Sequence, residues 1–261
     1  MTDPDELLAL ATEVAYEAGS ALREAFGRRA EGELEISAKS TPTDLVSAAD
    51  VSTERLIRSR LAAARPDDAI MGEEHDDHPG TSGLRWVVDP LDGTVNFLFG
   101  IPQWCVSIAC EDGDGTVAGV IFDPLRGETW AATREGPATL DGSELRGSQQ
   151  ADLAPALVAT GFGYDAGVRE SQARVIARLL PQVRDVRRLG AAALDLAWTA
   201  AGRYDAYFER GVKPWDIAAG VLICTRAGLA VRALEPAPPA EAGILAAPPA
   251  LVDELLGIVA D

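Results

Sequence analysis

The sequence predicts an α/β protein that is α+β in its first half and α/β in its second. Two patterns lead to this prediction. In the first half, two amphipathic helices precede a series of short apolar strands separated by turn residues. In the second half, strands and helices alternate along the chain, as they do in α/β folds. The change of pattern divides the chain into two predicted domains, residues 1–147 and 148–261.

The helices and strands of the first half are predicted from apolar spacing. Helical spacing extends from Asp5 to Arg29 and again from Ala48 to Ala63. The segment Glu31–Ser37 is polar and is interpreted either as one strand of a hairpin or as a mobile loop. Strands are predicted at Ala69–Met71, Trp86–Val88, Trp104–Cys110, Val117–Phe122 and Glu128–Ala132.

The second half alternates more regularly. Strands are predicted at Leu157–Thr160, Val183–Arg188, Tyr204–Glu209, Leu229–Leu234 and Gly243–Ala246. Helices are predicted at Arg169–Leu180, Ala191–Ala201, Trp215–Ala227 and Pro249–Val259.

The composition excludes several classes of protein. Of 261 residues 47% are hydrophobic and 25% charged, which is typical of a globular chain. The net charge of −18 argues against direct binding to nucleic acid or to an anionic membrane, and a site for an anionic substrate would need cations. No apolar run is long enough to span a membrane, and the acidic start does not resemble a signal peptide. Three cysteines in apolar segments are predicted to be buried thiols, so we expect a cytoplasmic protein.

The segment Trp86–Phe97 is the first candidate for a functional site. Its apolar start is predicted to be a strand that leads Asp89 and Asp92 onto a turn, where Pro90 and Gly93 favour tight geometry. Carboxylate and carbonyl oxygens at such a position suit Mg²⁺. An ordinary strand-to-turn junction explains the same residues about as well.

Other acidic residues also begin or follow strongly apolar elements. They are Asp50 at the head of the second helix, Glu73 and Glu74 after a strand, and Asp216 after Trp215. For each residue alone, a helix cap or a solvated turn is the simpler interpretation.

Three motifs together resemble the inositol monophosphatase family of metal-dependent sugar phosphatases. They are Gly72-Glu73-Glu74, the segment from Asp89 to Phe97, and the segment from Trp215 to Gly220, and the segment from Lys39 to Asp50 is similar to an upstream motif of that family. The resemblance covers nearly the whole chain. It implies a layered αβαβα sandwich, a homodimer and sensitivity to lithium.

The resemblance also implies a metal site. Glu73, Asp89 and the carbonyl of Leu91 would hold one Mg²⁺, and Asp89, Asp92 and Asp216 a second; a third, weaker ion would lie near Glu73. Thr94, with Asp50 behind it, would orient the attacking water, so that Asp50, Glu73 and Thr94 are the predicted catalytic residues. Lys39 matches a lysine in a loop that borders the metals.

Substrate contacts are predicted from the same resemblance. The N–H groups of Gly93 and Thr94 would bind the phosphate. The polyol hydroxyls would be contacted by six positions, namely Asp92, the segment Gly190-Ala191-Ala192, Glu209 and Asp216. Relatives often carry Ser or Thr at position 191, so Ala191 removes one polar contact. Glu209 could equally be a surface residue at a strand end.

Two further clusters leave alternatives open. His75 and His78 lie beside Glu73 and could bind zinc, but their spacing fits no standard zinc motif and a solvated acidic loop is the simpler interpretation. Arg184, Arg187 and Arg188 could bind a second phosphate or a nucleotide, contact a second subunit, or lie on a surface strand edge.

The sequence therefore predicts a Mg²⁺-dependent phosphomonoesterase that hydrolyses inositol 1-phosphate or a related polyol phosphate, without a covalent phosphoenzyme. Fructose 1,6-bisphosphate, histidinol phosphate and 3′-phosphoadenosine phosphates are the alternative substrates within the family. A protein that binds the transcription machinery is the non-enzymatic alternative.

Overall fold

The computed structural model describes residues 2–28, 36–38 and 45–260, and within these ranges it contains two large β-sheets, one separate two-stranded sheet and seven α-helices. The helices are α1 (Pro4–Arg28), α2 (Ala48–Ala64), α3 (Thr94–Phe99), α4 (Ala166–Leu179), α5 (Ala192–Ala200), α6 (Pro214–Arg226) and α7 (Val252–Val259). A short 3₁₀ turn, Leu180–Gln182, follows α4.

The larger sheet has seven strands in the order β3-β4-β5-β6-β7-β8-β9. These are β3 (Ala69–Gly72), β4 (Arg85–Asp92), β5 (Cys105–Asp112), β6 (Gly115–Asp123), β7 (Glu128–Thr133), β8 (Thr139–Leu140) and β9 (Ser143–Glu144). Only β3 and β4 pair in parallel. A separate two-stranded antiparallel sheet is formed by β1 (Ile36–Ala38) and β2 (Leu45–Ser47). Of the segment Glu31–Ser37, for which a strand or a loop was predicted, only Ile36 and Ser37 are described, and both lie in β1; the rest lies outside the described residues.

The smaller sheet has five strands in the order β11-β10-β12-β14-β13. Its strands are β10 (Leu157–Thr160), β11 (Asp185–Arg187), β12 (Ala206–Arg210), β13 (Ala230–Leu234) and β14 (Gly243–Ala247). Strand β10 pairs in parallel with β11 and with β12, and β14 pairs antiparallel with β12 and with β13. Mixed sheets of this kind are common in layered α/β folds.

The helices form layers outside and between the two sheets. The outer helices α1 and α2 pack on the larger sheet, and α4 and α7 pack on the far side of the smaller one. Helices α5 and α6 contact strands of both sheets, and one apolar core joins them to each sheet. The arrangement is the predicted αβαβα sandwich, which is confirmed.

Each half of the chain forms its own large sheet, but the two halves share one apolar core. Each sheet is drawn from one side of the boundary at 147 and 148, yet α5 and α6 bury apolar side chains of both. The division into two domains therefore stays a prediction.

The segment at the end of β4 corrects one expectation. Asp89 and Asp92 were expected on a turn after the strand, but β4 continues to Asp92, and its register against β5 shifts between Asp89 and Asp92. Pro90 has no N–H to donate to β5, so it interrupts the regular ladder of hydrogen bonds. A β-bulge at this point lets the strand continue beyond the proline. The acidic residues therefore lie on a bent strand end.

Candidate active site

One cavity of about 470 Å³ is lined by residues from both halves of the chain. Among the described residues, those predicted for the site that line this cavity are Glu73, Asp89, Leu91, Asp92, Gly93, Thr94, Gly190, Ala192, Glu209 and Asp216. Residues far apart in sequence are thus brought to one place. Their proximity supports a shared site.

Among the described residues, two of those predicted for the site do not line the cavity. Asp50 is fully buried and lies behind Thr94, whose hydroxyl donates to Asp50 Oδ1 at 2.7 Å. Ala191 is buried in the core between the sheets, so its side chain offers no surface to a substrate. Lys39 lies outside the described residues.

The strand end and the short helix α3 position the first group of polar atoms. Asp89 Oδ1 accepts the N–H of Leu91 at 3.0 Å, and the Leu91 carbonyl lies 3.1 Å from the Thr94 hydroxyl. Gly93 joins β4 to α3 with φ 96°, and a Cβ there would lie 2.8 Å from the carbonyl oxygen of Gln103. A glycine is therefore required at the point where the first N–H groups of α3 meet the cavity.

Asp92 connects the two halves. Its carboxylate accepts the N–H groups of Ala192 at 3.1 Å, Ala193 at 2.7 Å and Leu194 at 3.4 Å, at the N-terminus of α5. Ala191 occupies the N-cap position and supplies no side-chain cap. Asp92 therefore caps α5 from the other sheet, a role that short-range sequence patterns do not reveal.

The second half adds two further carboxylates to the cavity. Asp216, in the first turn of α6, accepts the N–H of Lys213 on Oδ2 at 2.6 Å. Glu209, near the end of β12, accepts the hydroxyl of Tyr207 on Oε2 at 2.7 Å. Glu209 also lines the cavity, and its predicted contact with substrate stays a prediction.

Burial and mutual repulsion make these carboxylates unusual acids. Burial, followed by the charges of Glu73, Asp92 and Asp216, holds the pKa of Asp89 well above its ordinary value. Burial also raises the pKa of Asp216, and it raises that of Asp92 to about 6 although the N–H groups of α5 oppose the shift. Such shifts, in groups that share a cavity, are typical of functional sites.

The donor set fits hard divalent cations. Carboxylates and a backbone carbonyl are the ligands that Mg²⁺ prefers, and bound cations would offset the repulsion that raises these pKa values. No group of three or more His, Cys, Asp or Glu in the described ranges is close enough to hold an ion as it stands. The hydrogen bonds of Asp92 to α5 and of Asp216 to Lys213 hold both side chains in other contacts.

The remaining predicted clusters separate. Of the three arginines, only Arg188 lines the cavity; Arg184 donates to the carbonyl of Pro155, and Arg187 pairs with Asp185. Burial raises the pKa of Glu209 to about 7, and the positive charge of Arg188 opposes this rise.

Asp76, Asp77 and His78 of the acidic loop are exposed, whereas His75 contacts helix α2. His75 Nδ1 lies 3.2 Å from Oε1 of Glu54, a buried carboxylate that sequence analysis did not single out. Glu54 lies four residues after Asp50, so the same helical face could have identified it.

The three cysteines agree with expectation. Cys105, Cys110 and Cys224 are free and buried. Within the described ranges, no helix is both long enough and apolar enough to cross a membrane.

Comparison with known proteins assigns the chain to a family. The model of the inositol monophosphatase family matches residues 3–260. The Mycobacterium tuberculosis protein named inositol-1-monophosphatase SuhB is 45% identical over 97% of this chain and 93% of its own length. The Salmonella typhimurium protein named Nus factor SuhB is 39% identical over 85% of this chain and 83% of its own length.

The fold leads to the same family. The crystal structure of the extragenic suppressor protein suhB from Bartonella henselae superposes with a TM-score of 0.90, at 34% identity, over 97% of this chain and 98% of that one. The predicted resemblance and the predicted class of enzyme, a phosphoric monoester hydrolase, are confirmed. The chain belongs to the inositol monophosphatase family.

Proposed function

We propose that this protein hydrolyses inositol 1-phosphate or a related polyol phosphate with Mg²⁺ as its cofactor. The observation that carries the proposal is the cavity that Glu73, Asp89, Asp92 and Asp216 line together with Gly93 and Thr94 at the start of α3. Four acidic groups would repel a phosphate monoester, whereas the same groups loaded with divalent cations would attract one.

The residues present would hold two ions, or three. Glu73, Asp89 and the Leu91 carbonyl are the proposed ligands of one, and Asp89, Asp92 and Asp216 those of the other. When bound, Mg²⁺ would neutralise the phosphate charge and supply the Lewis acidity that activates water for in-line attack.

The Thr94–Asp50 pair is proposed to orient the attacking water. Because the Thr94 hydroxyl donates its proton to Asp50 at 2.7 Å, its lone pairs remain available to accept a hydrogen bond from water. Asp50 is fully buried, so it fixes the direction of this hydroxyl without contacting solvent. Water held in this way would be aligned with phosphorus, and no covalent phosphoenzyme is required.

The phosphate is proposed to bind at the start of α3. The first N–H groups of a helix have no intrahelical acceptor and carry partial positive charge. Gly93 and Thr94 bring two such groups to the cavity. They would bind the oxygens that gain charge in the transition state.

The polyol is proposed to lie against the second half. Glu209, Asp216 and Asp92 can accept hydrogen bonds from ring hydroxyls, and Gly190 and Ala192 would contact the ring through the backbone. Because the Ala191 side chain is buried, we leave it out of the proposed contacts.

Two experiments test the proposal. Hydrolysis of inositol 1-phosphate, fructose 1,6-bisphosphate, histidinol phosphate and 3′-phosphoadenosine 5′-phosphate should be compared with MgCl₂ and with EDTA. We expect Mg²⁺-dependent release of phosphate, greatest with inositol 1-phosphate, and its inhibition by lithium. Asp89→Asn should abolish the activity, and retained turnover in this variant would contradict the metal assignment.

A binding role in transcription is the second candidate, because the Salmonella typhimurium relative is named a Nus factor. If this role prevails, cells that carry Asp89→Asn in place of the native protein should keep the wild-type phenotype. A phenotype equal to that of a deletion strain would favour the enzyme. The net charge of −18 favours a basic protein as the partner over direct contact with nucleic acid.

We also propose that the protein is a cytoplasmic homodimer built from the two predicted domains, 1–147 and 148–261. The family resemblance supports the dimer, and the buried free thiols are compatible with a reducing compartment. Sedimentation equilibrium should give twice the chain mass of 27.5 kDa.

A further inference from the structure

We propose that Glu54 is a positioning residue that fixes the turn carrying Glu73 and thereby sets the affinity of the site for divalent cations. The inference rests on the proposed metal role of Glu73. Glu54 does not line the cavity among the described residues. It acts on the site through the backbone beside Glu73.

Glu54 holds the peptide unit that follows Glu73. Its Oε2 accepts the N–H of Glu74 at 2.6 Å, and this N–H belongs to the peptide bond that joins Glu73 to Glu74. Its Oε1 lies 3.2 Å from His75 Nδ1. Both carboxylate oxygens of a fully buried side chain are therefore bonded to consecutive residues of one turn. A charged acceptor makes a stronger hydrogen bond than a neutral one.

Arg58 holds the same turn together with Glu54, and we call these two side chains the clamp. Its Nε donates to Glu54 Oε1 at 2.6 Å, and its second nitrogen donates to the carbonyl of His75 at 3.1 Å. Glu54 and Arg58 are four residues apart on α2, so they face the same turn. The guanidinium of Arg58 therefore balances the charge of the buried Glu54 carboxylate and also holds the far end of the turn at the His75 carbonyl.

The packing around Gly72 shows how closely this turn lies on α2. A Cβ at Gly72 would overlap the carboxylate of Glu54 and would lie 3.0 Å from the guanidinium of Arg58. The last residue of β3 can therefore approach α2 only as glycine. The strand end and the Glu54 carboxylate fix the entry to the turn from two directions.

Helix α2 links this clamp to the proposed water-orienting pair. Asp50 and Glu54 are one helical turn apart, and Asp50 accepts the Thr94 hydroxyl. One rigid helix therefore sets the positions of Thr94 and of the turn that carries Glu73. Partners that orient a metal ligand in this way affect metal affinity by about 10- to 100-fold when removed.

Glu54→Gln is the variant that tests the proposal, with Asp68→Asn as its matched control. Glutamine keeps the size of the side chain but removes the charge that Arg58 and Glu74 share. Asp68 is also buried and also pairs with an arginine, Arg65, at 2.9 Å; Arg65 directly follows the same helix, and Asp68 precedes β3 at the end away from Glu73. Both variants lose a buried negative charge, but only Glu54→Gln weakens the bonds to the turn that carries Glu73.

The measurements are the rise in thermal midpoint during an MgCl₂ titration and the Mg²⁺ dependence of phosphate release. We expect Glu54→Gln to raise the Mg²⁺ concentration at half-effect by about 10-fold or more in both assays. Its kcat at saturating Mg²⁺ should stay within about threefold of the wild-type value, because excess Mg²⁺ fills a weakened metal site by mass action. Asp68→Asn should lower the thermal midpoint and leave the Mg²⁺ dependence unchanged.

Several outcomes would overturn the proposal. An unchanged Mg²⁺ dependence in Glu54→Gln, or an equal change in Asp68→Asn, would show that Glu54 contributes only to stability. If Glu54→Gln does not fold, Gly72→Ala displaces the same carboxylate and takes its place under the same criteria. A wild-type protein with no response to MgCl₂ would instead contradict the proposed function.

Discussion

Glu209→Gln is expected to remove much of the pH dependence of stability of the metal-free protein. Burial raises the pKa of Glu209 from 4.5 to about 7, so between these values the folded chain binds more protons than the unfolded chain. Stability therefore falls as pH rises through this window and reaches its lower level above pH ~7. The variant keeps the shape of the side chain and the bond from the Tyr207 hydroxyl.

The magnitude follows from the shift. A pKa raised by about 2.5 units corresponds to at most about 3.4 kcal/mol of lost stability when the group is ionised. Because part of Glu209 is open to the cavity, water screens its charge, and we expect about 1–3 kcal/mol. For a chain of this size, that is roughly 2–5 °C in thermal midpoint.

Thermal unfolding in EDTA at pH 5 and at pH 8.5 provides the assay. The midpoint of Glu209→Gln relative to wild type should be higher at pH 8.5 than at pH 5 by this amount. Glu235→Gln, at an exposed carboxylate, is the matched control and should show no such difference. Parallel pH profiles for Glu209→Gln and wild type would refute the reasoning.

Three further predictions concern the same cavity. Thr94→Val keeps the shape of the side chain but loses the hydroxyl bonded to Asp50, so kcat should fall by about 100-fold or more with little change in KM in steady-state assays; a KM effect alone would contradict a role in orienting water. Gly161→Ala places a Cβ against the carboxylate of Glu209, so KM for inositol 1-phosphate should rise several-fold, whereas Gly113→Ala, at an open position, should leave it unchanged. Asp89→Asn removes a buried charge that three carboxylates repel, so its thermal midpoint in EDTA at pH 8 should exceed that of wild type, and a lower midpoint would refute the assigned repulsion.

Much of the secondary structure could be predicted because its signals are local. Apolar spacing placed α1 and α2 within one residue of their observed ends. Helix α4 begins earlier than predicted, at Ala166, because Asp165 accepts the N–H groups of Gly167 and Val168 as an N-cap. Helix α7 begins later than predicted, at Val252, since residues 249–251 form a turn before it.

The acidic motifs could be identified from the sequence because each one is contiguous. Asp89, Asp92 and Gly93 lie within five residues, and their order limits the chemistry to oxygen ligands and backbone N–H groups. The local pattern could not reveal that Asp89 and Asp92 lie on a bulged strand, because the bulge is defined by its register against β5.

The sequence by itself determined the kinds of groups available for chemistry, and the tertiary structure decided which of them work together. Asp92 caps α5 across about 100 positions of chain, and Glu54 holds a turn 20 residues away. Neither contact has a local signature, because hydrogen bonds between distant segments depend on how helices and sheets pack and not on spacing along the chain. The same packing turned Ala191 into the core and left Arg188, alone of its three-arginine cluster, on the cavity wall.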